Sequence, residues 1–270
     1  MKRIGIVVPL PGELRSLTRT KMHTGTTMLL NPYVMIGLSG IGTERAQAIG
    51  KCLLESGVTG LVSWGSAASL DETLLPGSLV LPKRIVTADC STLEVDRYWH
   101  ARLRHCLAET LTVHHQPMAH SSGLLSNSEQ KQRLFASHQA VAADMESATL
   151  ATLAEQYNVP FIAIRAISDS MEMNLPDSVG KSVDKHGQVQ LFKVLARVAL
   201  HPSKWPALLQ LGHGFRAAQL TLAKVAQQAG LTLLGPTKVK RSRNVATATE
   251  LQEGLNKSFL DFSDYANRKV

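Results

Sequence analysis

Aromatic residues make up only 5% of this 270-residue chain, and cysteine occurs three times, at Cys52, Cys90 and Cys106. The cysteines are odd in number, widely spaced and without a CxxC pair, which excludes a disulfide framework and a zinc site built on paired cysteines. A reducing cytoplasm is the expected setting. No apolar run approaches the roughly 18 to 20 residues that span a bilayer. The longest are Ile4 to Leu10 and the stretch around Leu79 to Leu81, so no membrane-crossing helix is expected. At the N-terminus, Pro9, Pro11, Gly12 and Glu13 end the first apolar run before a signal-peptide core can form, which leaves a first strand as the reading. Acidic residues are almost missing between positions 181 and 243, where Asp184 alone faces 11 Lys+Arg. That segment carries +10, whereas residues 1–180 and 244–270 carry −1 each within a total of +8. The basicity is therefore local: it argues for a neutral body with a basic contact region and against a nucleic-acid-binding chain. No internal repeat is present.

What is there is an ordinary globular balance, 44% hydrophobic and 19% charged, in a length that allows one large domain or one domain with an appendage. Apolar β-rich runs at Arg3–Val8, Tyr33–Leu38, Gly60–Trp64, Ser78–Leu81 and Phe161–Ile167 alternate with helix-period stretches at Thr43–Glu55, Val95–Glu109 and Met145–Tyr157. This alternation predicts an α/β fold with a substantially parallel sheet covered on both faces, whose ligands collect at strand ends. From about His186 the strand signal stops. Consecutive helices are expected over Val189–Leu200, Lys204–Leu211 and Gly214–Ala229, broken at His201-Pro202 and at Gly212. The expected organisation is a catalytic domain over 1–185, a basic helical extension over 186–235 packed on it, and a polar, loosely ordered tail over 236–270.

Four constellations carry chemistry. In Pro9-Leu10-Pro11-Gly12-Glu13 a carboxylate stands just after the first strand, and Glu13 is either a general base or a helix-start residue. Ser39-Gly40-Ile41-Gly42-Thr43-Glu44-Arg45 is a glycine turn opening a helix, with Gly40, Gly42 and Arg45 as candidate phosphate contacts. It lacks the third glycine of a dinucleotide fingerprint and the Gly-Lys-Ser/Thr of a P-loop, so a plain tight turn is the competing reading. In Ala142-Ala143-Asp144-Met145-Glu146-Ser147 a carboxylate and a thioether follow a short apolar strand. Glu146 suits a vicinal diol and Met145 a sugar face, against the alternative of a helix-start carboxylate with a core methionine. Phe161 to Ser170 is an apolar strand that contains Arg165, which needs partners if buried, and ends in Ser168-Asp169, where ligand chemistry is expected.

Taken in order, the Gly-Glu pair near the N-terminus, Ser39-Gly40-Ile41-Gly42, Gly65-Ser66-Ala67, Asp144-Met145-Glu146-Ser147 and Arg165-Ala166-Ile167-Ser168-Asp169 resemble the nucleoside phosphorylase and nucleosidase superfamily. The likeness is to the methylthioadenosine/S-adenosylhomocysteine nucleosidase branch and covers roughly residues 1–175. Further on, Asp184-Lys185-His186-Gly187, His201-Pro202, Leu208-Leu209-Gln210-Leu211 and Ala217-Ala218 look like the C-terminal region of the hopanoid-associated phosphorylases. The resemblance implies a three-layer α/β/α fold around a mixed central sheet, and cleavage of the N-glycosidic bond of a 5′-substituted adenosine. The subfamily likeness implies adenosylhopane as substrate, with release of adenine in hopanoid biosynthesis.

The roles that follow from the resemblance are Asp169 as proton donor to the purine, Glu146 as diol clamp, Met145 as sugar floor, and Ser66, Arg165 and Ser168 as substrate contacts. Glu13 would activate water, whereas Gly40, Gly42 and Arg45 would serve phosphate as co-substrate; phosphorolysis is favoured over hydrolysis. No cofactor and no metal are expected. The implied partners are a small-molecule nucleoside, lipid-linked if the subfamily likeness holds, an anionic membrane touched peripherally at the inner face, and further copies of the chain. Alternatives are a methylthioadenosine/S-adenosylhomocysteine nucleosidase and, in another class, a catalytically weakened nucleoside-binding protein tethered to an anionic surface.

Three departures from the family pattern stand out. Ala68 and Ser69 replace two glycines, Pro9 and Pro11 flank the approach to Glu13, and Ser122-Gly123-Leu124-Leu125-Ser126 stands where an aromatic residue would cover the purine, so base stacking is expected to be aliphatic. The histidines, His114-His115 included, show no ligand spacing and read as solvated.

Overall fold

The computed structural model describes residues 3–174 and 205–230. The helix expected over 189–200, the Asp184-Lys185-His186-Gly187 motif, Lys204 and the polar tail lie outside the described residues.

Strand β1 (Ile4–Val8) is buried along its whole length and pairs in parallel with β3 (Val34–Leu38) on one side and β4 (Leu61–Ser69) on the other. Beyond β3 the edge is the antiparallel β2 (Thr26–Asn31). β4 pairs along Leu61–Ala68 with the parallel β11 (Phe161–Asp169), with a register shift between Ile167 and Asp169, and at its end, Ala68–Ser69, also with the antiparallel β10 (Ala142–Asp144). From β10 the sheet runs through β9 (Met118–His120) and β6 (Arg84–Val86) to β7 (Thr92–Glu94), while β5 (Leu79–Val80) and β8 (Val113–His114) extend from β11. The expected parallel core is present in β3, β1, β4 and β11, and the antiparallel pairs make the whole a mixed, 11-stranded sheet. β4 changes neighbour near its C-terminal end, so the ends of β1, β4, β10 and β11 converge there.

Side-chain alternation makes three layers of this sheet. In β1, Ile4, Ile6 and Val8 point to one face and Val7 to the other; in β11, Ile162, Ile164 and Ala166 share the first face and Ala163 and Ile167 the second. The first face is covered by α3 (Arg97–Leu107) through Trp99, Leu103 and Leu107, and by α6 (Trp205–Ala229) through Ala218, Leu222 and Val225. The second is covered by α2 (Thr43–Glu55) through Ile49 and Leu53, and by α5 (Ser147–Gln156) through Leu150 and Leu153. The remaining helices among the described residues are α1 (Pro11–Leu14), a single turn after β1, and α4 (Ser128–His138) before β10.

Two sequence expectations are corrected. The break predicted at Gly212 does not occur, because α6 runs unbroken from Trp205 to Ala229 with Gly212 on its exposed side. The glycine with a structural duty is Gly214: a Cβ there would stand 2.0 Å from the carbonyl oxygen of Ser168, so its absence lets the helix lie directly on β11. Packing on the sheet outweighs the propensity cost of the two glycines, of about 1 kcal/mol each. The histidines are not all solvated either. His100 on α3 is buried, with its Nε2 bonded to the Leu81 carbonyl at 2.8 Å.

Candidate active site

Glu13 is brought inward by the short helix that follows β1. Pro11 takes the first helical position, where its missing N–H costs nothing, so the prolines set the turn that presents the carboxylate. Glu13 Oε2 accepts from the Leu10 N–H at 3.0 Å, and Oε1 accepts from both the Ser66 N–H at 2.7 Å and the Ser66 hydroxyl at 2.6 Å. The side chain is buried, and that burial raises its pKa above the ordinary carboxylate value, against the opposing pull of Ser66 and Arg165. Gly65, next to Ser66, admits the network: a Cβ there would fall 2.3 Å from Arg165 Nη1 and 3.0 Å from Glu13 Oε2.

Arg165 is fully buried in the middle of β11 and gathers the second part of the site. Its Nη2 pairs with Asp144 Oδ2 and donates to Ser63 Oγ at 2.7 Å and Ser147 Oγ at 3.2 Å. Glu146 Oε2 lies 3.7 Å away. Its other oxygen, Oε1, accepts from the Gly42 N–H at 2.8 Å, so the donor at the head of α2 is committed to this carboxylate. Burial, and after it the charge of Asp144, pushes Glu146 up to about 7 although Arg165 pulls the other way. Three carboxylates, Glu13, Asp144 and Glu146, thus surround one guanidinium, whose Nε and Nη1 have no hydrogen-bond partner among the described residues. Such a cluster holds a proton near neutrality on Glu146.

At the end of β11, Asp169 Oδ1 accepts from the Ser168 hydroxyl at 2.9 Å and Oδ2 from Lys131 Nζ at 2.6 Å. Met145, half-buried, follows β10, and its carbonyl accepts from Thr43 Oγ1 at 3.2 Å. Arg45 joins none of these groups; its guanidinium folds back over Gly40. Glu13 and Ser66 form one bonded group, Arg165, Asp144, Ser63, Ser147, Glu146 and Gly42 a second beside it, and Lys131, Ser168 and Asp169 a third at the end of the same strand as Arg165. In the sequence, Asp144 and Ser147 have a place inside a recognised motif but no role, and Lys131 and Ser63 have neither. Lys131 lies in a polar helix with no signal of its own. Nor is every nearby ring absent, since Phe215 of α6 lies against Gly12, the residue before Glu13. Ser69 turns its hydroxyl to the Asp71 carbonyl at 2.7 Å, within its own turn.

An open hollow of about 380 Å³ between α2 and α5, lined in part by Thr43, Gln47, Asp89 and His120, contains none of Glu13, Glu146 or Asp169. Among the described residues no cluster of three His, Cys, Asp or Glu side chains is placed to hold a metal ion, and no helix is long and apolar enough to cross a membrane.

Comparison with known proteins agrees with this geometry. The family model of the phosphorylase superfamily matches residues 3–198. The 5′-methylthioadenosine/S-adenosylhomocysteine nucleosidase of Buchnera aphidicola subsp. Baizongia pistaciae is 26% identical over 206 residues, 65% of this chain and 81% of that protein. The nucleosidase of the same description from Staphylococcus aureus strain JH9 is 29% identical over 57% of this chain and 75% of its own. In fold, the chain is similar to the futalosine hydrolase of Helicobacter pylori, with a TM-score of 0.64 at 17% identity over 84% of this chain and 96% of that one. It is also similar to the 5′-methylthioadenosine/S-adenosyl homocysteine nucleosidase of the same organism, at 0.63 and 17% over 83% and 95%. With the match covering most of the sheet and every carboxylate of the site, the chain belongs to the phosphorylase superfamily and is an enzyme of the nucleoside phosphorylase and nucleosidase kind.

Proposed function

We propose that the protein cleaves the N-glycosidic bond of a 5′-substituted adenosine and releases adenine. The observation that carries this reading is the placement of two carboxylates, Glu13 and Glu146, around buried Arg165, with a third, Asp169, at the end of the same strand. Cleavage leaves positive charge on the ribose and negative charge on the departing purine, so the site must supply a proton to the base and carboxylate oxygens to the sugar. Asp169 donates toward the purine N7, with Ser168 orienting it. Glu146 accepts from the 2′,3′-diol, and Met145 packs on the sugar face.

The nucleophile is water, activated by Glu13. Its pKa, raised by burial, suits a base. The Gly42 N–H is engaged by Glu146 and Arg45 is turned onto Gly40, which removes the support for phosphate in the glycine turn. This reverses the preference for phosphorolysis drawn from the sequence.

The 5′ substituent we assign is the lipid of adenosylhopane, met at an anionic membrane surface. In support, α6 exposes Leu209 and Leu220 together with Arg216 and Lys224, at helical spacings that put them on one face. Leu222, in contrast, is buried in the core. The test measures adenine release from adenosine, 5′-methylthioadenosine and adenosylhopane in anionic vesicles, each with and without millimolar phosphate. Release indifferent to phosphate, with adenosylhopane preferred, is expected. Ribose 1-phosphate products would restore phosphorolysis, a preference for methylthioadenosine would remove the lipid assignment, and binding without release would leave a nucleoside-binding protein.

A further inference from the structure

Lys131 has no part in the mechanism above, yet it is among the most deeply buried charged groups of the described residues, with no exposed surface at all. It projects from the first turns of α4, and each of its three N–H donors has an acceptor: Asp169 Oδ2 at 2.6 Å, the Ser170 carbonyl at 2.6 Å and the Met173 carbonyl at 3.4 Å. A second tie joins the same two segments, from the Ser128 N–H to Asn174 Oδ1 at 3.0 Å. Burying an ammonium is costly unless it is paired, and a structural need to fasten α4 to the 170–174 segment could be met by neutral groups such as the Ser128–Asn174 pair. Of its three acceptors the charged one is Asp169, through Oδ2. The other oxygen, Oδ1, keeps the Ser168 hydroxyl.

We propose that Lys131 is the positioning residue of the purine-facing carboxyl group and its counter-charge in the transition state. The inference rests on the proposed release of adenine. When the C1′–N9 bond breaks, its electron pair goes to the purine, and the proton on Asp169 moves to N7; the O–H bond breaks, an N–H bond forms, and Asp169 is left anionic. The Lys131 ammonium, already in place at Oδ2, stabilises that anion as it develops, at no cost in reorganisation. It acts on the step and not on the sugar, so its effect belongs in kcat.

The experiment is a double-mutant cycle on the full chain with 5′-methylthioadenosine: wild type, Lys131→Met, Asp169→Asn and the pair together. Lys131→Met is expected to lower kcat by about 10²-fold with KM changed by less than about 3-fold. In the Asp169→Asn background the same substitution should change kcat by less than about 3-fold, because the group it acts through is gone. Equal factors in both backgrounds would mean a purely structural role and overturn the proposal, as would a Lys131→Met protein with wild-type kcat. Should Lys131→Met alone fail to fold because it strands a buried carboxylate, the double variant carries no such charge. Its kcat against Asp169→Asn then decides: parity supports the proposal and a further large drop overturns it. A wild-type protein that releases no adenine is a separate result, which removes the underlying reading and this inference with it.

Discussion

Glu146 holds its proton up to about pH 7 because burial and Asp144 oppose its charge more than Arg165 favours it. A carboxyl group whose folded pKa lies above its unfolded one stabilises the fold fully below the unfolded value and loses that contribution as pH rises through the folded value. Stability of the wild type should therefore fall between about pH 4.5 and 7 more than that of Glu146→Gln, which lacks this titration, as denaturant melts at several pH values would show. Binding has the opposite sign, since the ribose diol is accepted by the ionised form. The KM for ribosides should rise as pH falls through 7, a rise that Glu146→Gln abolishes while leaving free adenine affinity nearly unchanged. Equal weakening of riboside and adenine in Glu146→Gln would mean that the residue supports structure instead of reading the sugar. At this scale Glu13, Glu146 and Asp169 were legible from the sequence as carboxylates at or just after strand ends, and Arg165 as a lone charge inside an apolar strand. Lys131 and Asp144 were not legible as partners, since a bond across 38 residues, or from Asp144 to Arg165, leaves no mark in local spacing.

Among the elements, the strands and helices with a full period of apolar residues were readable: β1, β3, α2, α3, α5 and β11 fall within a few residues of where the pattern places them. Strands of two or three residues, such as β6, β8 and β9, are too short to show alternation and exist because neighbours offer them hydrogen bonds, although the apolar run at Ser78–Leu81 did mark the two-residue β5. The opposite failure occurred at α6, where Gly212 read as a stop although the helix continues. The contact of Gly214 with the Ser168 carbonyl explains why the segment packs as one piece and ties α6 to the residue beside Asp169. Gly214→Ala should cost about 1 to 3 kcal/mol of stability and lower adenine release, because helix and strand end cannot both keep their places. The reading is checked by a thermal melt alongside the assay, and a variant with wild-type stability and activity would mean that this approach is not tight.

For the whole molecule, the division into a near-neutral body and a basic C-terminal segment was plain from charge alone. The three-layer arrangement followed from the alternation of strand and helix, whereas the branch at the end of β4 did not, since partner exchange along one strand depends on tertiary pairing. That branch sets Glu13 after β1, Glu146 after β10, and Arg165 and Asp169 at the middle and end of β11, all beside β4, although they are scattered over more than 150 positions of the chain. We propose that this convergence releases adenine by protonating it from Asp169. The direct measurement is the rate of free adenine formation from 5′-methylthioadenosine by the wild type and by Asp169→Asn under the same conditions. Turnover by the wild type and a loss of about 10² to 10⁴-fold in a folded Asp169→Asn protein are expected; no adenine from the wild type, or equal rates from the two, would rule out Asp169 as the proton donor of an adenine-releasing enzyme.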